Sequence, residues 1–153
     1  MVEVESRVNI NREPGEVFGF LAEPANWALW LEGIVESKQH GRGAITVGTR
    51  VNQVVKFLGR RFDITAQVIE CDWNRRLTMK VISGPFPMSW THLVVARDGG
   101  SAVITKLEAN PGRFFRIAGP LLKPLVQRHF DEDHAALKSI LERVPEKLIG
   151  GAV

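Results

Sequence analysis

Between residues 32 and 110 the chain runs through six strand-like segments whose connections are too short for anything but hairpins. They read "GIVESKQH", "TRVNQVVKFLG", "RRFDITAQVIECD", "RRLTMKVIS", "PMSWTHLVVARD" and "SAVITKLEAN". Gly59, "DWN" at 72–74, "GPFP" at 84–87 and "DGG" at 98–100 punctuate them, the last as a tight hairpin turn. A parallel crossover needs about a dozen residues or more, so the sheet must be antiparallel. Residues 2–10 add a seventh strand: Val2, Val4, Val8 and Ile10 alternate with Glu3, Glu5, Arg7 and Asn9.

Alternation leaves one face of such a sheet apolar and in need of cover. The cover lies in the helical pattern after Gly112. "GRFFRIA" reads as a short first helix, interrupted by Gly119, Pro120 and Pro124. A long helix then runs to about Val144 and ends at Pro145. Two more short helices follow the first strand. One starts at Pro14, which suits a first helical turn, and stops at Pro24; the other is "NWALWLEG". The expected fold is α+β: a curved seven-stranded antiparallel sheet wrapped around a long C-terminal helix, with two short helices after strand one. Residues 1–146 read as one domain, since no repeat or linker divides them, and 147–153 as a flexible tail.

Composition narrows the function classes. At 153 residues, with 44% hydrophobic and 24% charged, the chain can bury one core. The formal charge of +3 comes from scattered residues, with basic pairs only at Arg60–Arg61 and Arg75–Arg76, so no nucleic-acid partner is expected. A single cysteine, Cys71, rules out an internal disulfide and suits a cytoplasmic setting. The N-terminus does not read as a signal peptide, and no apolar run reaches the roughly 20 residues of a membrane span.

The long helix carries the feature that asks for a function. Wound at about 100° per residue, it puts Leu122, Leu125, Val126, Ala136, Leu137 and Ile140 on one face, with His129 and Asp133 in the middle of that face. Burying either unpaired costs several kcal/mol. Either Asp133 holds the imidazole at the polar end of a cavity, or the helix rolls and both meet water. Alternation on the strands makes Val51, Gln53, Val55 and Phe57 inward, then Phe62, Ile64, Ala66 and Val68. Leu77, Met79 and Val81 follow, with Trp90, His92, Val94 and Ala96, and finally Val103, Thr105 and Leu107. An apolar wall with a few polar members (Gln53, His92, Thr105) is the usual make-up of a small-molecule pocket, unless a bulge flips the register. Trp27 and Trp30, one turn apart, either gate that pocket or plug one end of the sheet.

Other chemistries find little support. No metal-ligand spacing appears, and His40 and His134 fall outside the expected cavity, so neither metal nor cofactor is expected. There is no Gly-x-Ser-x-Gly elbow, no phosphate-cradling glycine loop, and no tyrosine to act as a phenolic acid.

Three stretches carry a family resemblance. "EVESRVNINREPGEVFGFLAEPANWALWLEGIVE" resembles the opening of the polyketide cyclase/dehydrase and lipid-transport branch of the START-like (helix-grip, SRPBCC) superfamily. "ITVGTRVNQVVKFLGRRFDITAQVIECDWNRRLTMKV" is similar to its paired strands joined by Leu-Gly-Arg. "VVARDGGSAVITKLEA" and "ALKSILE" resemble its last hairpin and the end of its final helix. The likeness spans roughly residues 2–144, at positions that keep a fold rather than carry a reaction. It implies a deep apolar cavity under the last helix, used for lipids, polyketides or aromatic metabolites.

The expected function is binding of a small hydrophobic ligand between sheet and helix, by a monomer or homodimer without stable membrane insertion. Its expected contacts are Trp27, Trp30, Gln53, Val55, Phe57, Ile64, Met79, Trp90, His92, Thr105, Leu122, Leu125, Val126, His129 and Asp133. One alternative is a polyketide aromatase/cyclase or dehydrase, with His129, Asp133 or His92 moving a proton. Another is an apolar groove that grips a partner protein.

Overall fold

A computed structural model describes residues 1–143; the expected end of the long helix at Val144–Pro145 and the expected tail lie outside them. The chain runs β1 (Val2–Ile10), α1 (Pro14–Leu21), a 3-10 turn (Pro24–Asn26), α2 (Trp27–Trp30), β2 (Ile34–Gln39), β3 (Arg50–Phe57), β4 (Arg60–Asp72), β5 (Arg76–Ser83), β6 (Met88–Arg97), β7 (Gly100–Ala109) and α3 (Gly119–Arg143). The seven strands form one antiparallel sheet in the order β1-β7-β6-β5-β4-β3-β2. This is the curved sheet and gripping helix that the alternation and the short connections require.

Local chemistry explains the hairpins. Arg97 pairs with Gly100 across a two-residue loop. Asp98 and Gly99 take φ of 41° and 81° there, the left-handed pair that matches strand twist. Irregularities in the β4–β5 pairing, between Thr65 and Ala66 and between Val68 and Glu70, bend the long β4. That curvature lets one sheet wrap a helix.

Helix α3 is tied along β1. Ser6 Oγ donates to Asp131 at 2.6 Å, Gln127 Nε2 to the Glu5 carbonyl at 2.7 Å, and Lys138 Nζ to the Asn9 carbonyl at 2.8 Å. The helix starts earlier than expected, at Gly119, and takes both prolines into its first turns. Pro120 has no intrahelical bond to lose there and Pro124 forfeits only one, so neither breaks it. The short helix expected over "GRFFRIA" does not form. Arg116 has a φ of 58°, outside helical backbone, and residues 111–116 close as successive turns.

The apolar interior falls into two clusters. In the larger, Val17, Phe18 and Leu21 of α1 meet Leu77, Met79, Val103, Leu137 and Leu141, all fully buried. In the smaller, Val2, Val4, Leu107 and Leu122 are buried, but their partners Phe57, Met88, Trp90, Phe115, Val126 and Phe130 are only partly so. Ala96, expected inward, is exposed near the end of β6.

Candidate functional site

At the end of the molecule held by the smaller cluster, α3 stands off the sheet and a cavity of about 150 Å³ remains. Helix α3 lines it with Leu122, Val126, His129, Phe130, Asp133 and His134. Trp27 and Trp30 of α2 close one side. The strands add Gln53, Val55, Phe57, Ile64, Trp90, His92, Thr105 and Leu107, and the turns before α3 add Pro111 and Phe115. The sequence-expected residues thus meet in one place, with two exceptions. Met79 does face the helix side of the sheet, but it is buried in the larger cluster and does not line this cavity. Alternation tells which face a side chain takes, not which end of the sheet is hollow. Leu125 is 40% exposed, because α3 is rolled so that the stripe Val126–Phe130–His134–Leu137–Leu141 faces inward. The same roll corrects the expectation for His134, which lines the cavity at 2% exposure. His40 is exposed, as expected.

Polar side chains form a connected patch on one wall. His92 Nδ1 and His134 Nε2 both hydrogen-bond the Thr105 hydroxyl, at 2.8 and 2.7 Å. One hydroxyl proton serves one imidazole, so at least one of the two rings must donate to Thr105. The Trp30 ring lies beside both, with centroids 5.7 Å from His92 and 6.1 Å from His134. Burial pushes His92 down to about 3, helped by the neighbouring His134. Burial also pushes His134 down to about 4, with Asp131 pulling the other way. Both rings are therefore uncharged at neutral pH.

Neither alternative for His129 and Asp133 holds as stated: both line the cavity, but Asp133 does not hold the imidazole. Asp133 Oδ1 accepts the Glu32 backbone N–H at 3.2 Å, tying the segment after α2 to α3. Burial raises its carboxyl to about 6, opposed by that N–H and by His129, and reinforced by Glu32 and Glu132. The His129 ring stands edge-on to Phe57, centroids 5.4 Å apart. Its Nε2 lies beside Gly33, where an added Cβ would come within 3.3 Å, so a side chain there would make the imidazole give way slightly.

Four buried nitrogens around this cavity have no hydrogen-bond partner: Trp30 Nε1, Gln53 Nε2, His129 Nε2 and His134 Nδ1. Trp27, by contrast, donates to the Leu21 carbonyl at 2.7 Å and serves as structure. Sequence reasoning missed His134 and Phe130. The i, i+4 spacing of Val126, Phe130 and His134 is the signal; a face centred on His129 and Asp133 leaves His134 well round the helix and hides it. It also missed Phe86 and Phe115, which sit on loops where no period applies. Together with Phe62 and Phe114 they form an edge-to-face set, Phe62 and Phe114 lying 5.1 Å apart.

The wall of strands and the long closing helix are shared with known proteins. Residues 1–142 match the family described as polyketide cyclase/dehydrase and lipid transport. The chain belongs to that family. No curated protein matches the sequence significantly. Among solved structures, a START superfamily protein from Mycobacterium smegmatis superposes with a TM-score of 0.78 at 14% identity, over 94% of this chain and 99% of that one. A Thermus thermophilus protein gives 0.78 at 17%, over 92% and 97%. The ZhuI aromatase/cyclase from a Streptomyces species gives 0.71 at 16%, over 92% and 93%. At such identities the likeness is one of fold, so the family's chemistry must be argued from this chain's own cavity. One group of described residues could offer ligand atoms to a cation: Glu32, His129 and Glu132 lie within 4.8 Å of one another. Glu32 and Glu132 are exposed and Glu132 already pairs with Arg128 at 3.2 Å, which makes the trio a charged rim. No helix among the described residues is long and apolar enough to cross a membrane.

Proposed function

We propose that this member of the polyketide cyclase/dehydrase and lipid-transport family binds a small hydrophobic molecule in the cavity between sheet and α3. The observation that carries the reading is the lining: aromatic and aliphatic side chains nearly throughout, with four buried nitrogens left without protein partners. A fold under no other demand would close this end as it closes the other, since each unpaired buried polar group costs about 1–3 kcal/mol. Apolar contact supplies affinity, at about 25 cal/mol per Å² before association costs. The placement between sheet and helix favours a small molecule over a partner protein, which would need a broad exposed apolar patch.

The test is native mass spectrometry of purified protein for a retained hydrophobic molecule, with titration by the uncharged fluorophore N-phenyl-1-naphthylamine. Leu122→Trp, which fills the cavity from α3, is expected to abolish the fluorescence gain. Equal binding by wild type and Leu122→Trp overturns the reading.

A second reading rests on the His92–Thr105–His134 chain. Neutral imidazoles joined through a hydroxyl can take a proton at one end and release one at the other. That suits an enolisation or dehydration step on a bound carbonyl compound. Hydrogen–deuterium exchange at the α-carbon of a bound ketone, lost in Thr105→Val with binding retained, supports catalysis. Exchange no faster than in buffer removes it.

A further inference from the structure

Resting on the ligand-binding reading, the cavity's polar atoms say what kind of molecule it takes. Among the described residues that line it there is no lysine and no arginine. The two imidazoles on its polar wall, His92 and His134, are held uncharged by burial. The one carboxylate in the lining, Asp133, is negative once ionised. A bound carboxylate would lose its hydration, find no lysine or arginine to pair with, meet two uncharged rings on the polar wall, and face the like charge of Asp133. The same lining contains donors without acceptors. Trp30 Nε1 is fully buried, unpartnered, and can only donate. Gln53 Nε2 is also buried and unpartnered, at 3% exposure for the residue. Gln53 can present either end of its amide, so Trp30 carries the argument for an acceptor.

We propose that the cavity selects uncharged molecules whose polar end is a hydrogen-bond acceptor, a ketone or aldehyde carbonyl, held by the Trp30 indole N–H, and rejects carboxylates of the same shape. The apolar body of the ligand lies against Phe57, Trp90 and Val126. The carbonyl meets the polar wall, where Trp30, Gln53 and His134 each bring a nitrogen that nothing in the protein satisfies.

Three compounds of one shape test it: 2-acetylnaphthalene, 2-ethylnaphthalene and 2-naphthoate, each displacing N-phenyl-1-naphthylamine at pH 8. In wild type, naphthoate needs at least tenfold more than the ketone for half-displacement. Trp30→Phe keeps an aromatic ring and deletes the N–H. In it, the preference for ketone over hydrocarbon, taken as the ratio of their half-displacement concentrations, is expected to fall about fivefold, the worth of one hydrogen bond. Gln53→Leu supplies a second variant should Trp30→Phe fold poorly, with a drop in the same direction. Naphthoate binding as tightly as the ketone, or a ratio unchanged in both variants, overturns the selectivity while leaving the cavity as a general hydrophobic site. Failure of the fluorophore itself to bind overturns the ligand-binding reading and this one with it.

Discussion

The two ends of this sheet are built from the same strands and the same helix, yet one is solid and the other hollow. At the α1 end, Leu77, Met79, Val103, Leu137 and Leu141 are all at 0% exposure and pack in one apolar cluster. At the α2 end, α3 presents Val126, His129 and Phe130 only half-buried, and the strands offer Gln53, His92 and Thr105. Aliphatic side chains of moderate size interdigitate and fill space. Large rings meeting edge to face, such as Phe57 with Phe115 at 5.3 Å and His129 at 5.4 Å, prop elements apart. Dense packing is concentrated at the first end and the cavity at the second, within one sheet.

The largest effect that would break this contrast is a leucine truncation at each end. Leu137→Ala removes a side chain packed on all sides and is expected to cost about 3–5 kcal/mol. Leu122→Ala opens into space already empty, loses fewer contacts, and is expected to cost about 2 kcal/mol. Urea denaturation of the two variants measures both. Equal losses would mean that the hollow end is as tightly packed as the other, and the division would fail.

How far this division could be read from the residues is instructive. Short connections and strict alternation define the sheet, its antiparallel sense and the inward faces, so Gln53, His92 and Thr105 were legible as inward polar groups. The end at which the hollow lies was not, because a period of two carries no information about depth along a strand; Met79 illustrates the loss. The roll of α3 was not legible either. Leu125 and His134 compete for the apolar face, and hydrophobicity favours the leucine, whereas the fold buries the histidine because Thr105, 29 residues earlier, bonds it. The partner of Asp133 is a backbone N–H 101 residues away in sequence, a contact that helical spacing cannot foresee.

Acid sharpens the contrast next, since the buried groups with raised or lowered pKa values in the hollow are His92, His134 and Asp133. The two histidines fall from an ordinary 6.5 to about 3 and about 4, so between those values and 6.5 the unfolded chain binds the extra protons. Their contribution is complete above 6.5 and lost as pH falls. Asp133 rises from 3.8 to about 6, so its contribution has the opposite sign: it is present below 3.8 and lost as pH climbs through about 6. Two groups outweigh one. Stability is expected to fall from pH 6.5 to 4 with a slope of about 1.4 kcal/mol per pH unit from this site, one net proton. Asp133→Asn removes the opposing group and is expected to steepen that slope towards twofold. Melting temperatures across the interval read both. A flatter acid limb in Asp133→Asn would show that its carboxyl is not the raised group.

The smallest effect lies on a single strand that crosses from one end to the other. On β3, Val51 belongs to the solid cluster at 0% exposure, and Gln53, two residues on, is the first inward position at the hollow. Its buried amide nitrogen has no partner, so the folded state carries a desolvation cost that the unfolded chain escapes. Replacing it with a leucine of similar volume removes that cost and adds apolar contact. Gln53→Leu is therefore expected to stabilise the protein by about 1 kcal/mol, opposite in sign to most core substitutions. A rise in the urea midpoint at unchanged slope would show that the wild-type residue is kept for something other than stability. A fall would mean that the amide is satisfied within the native state, and that the polar wall belongs to the core rather than to a ligand.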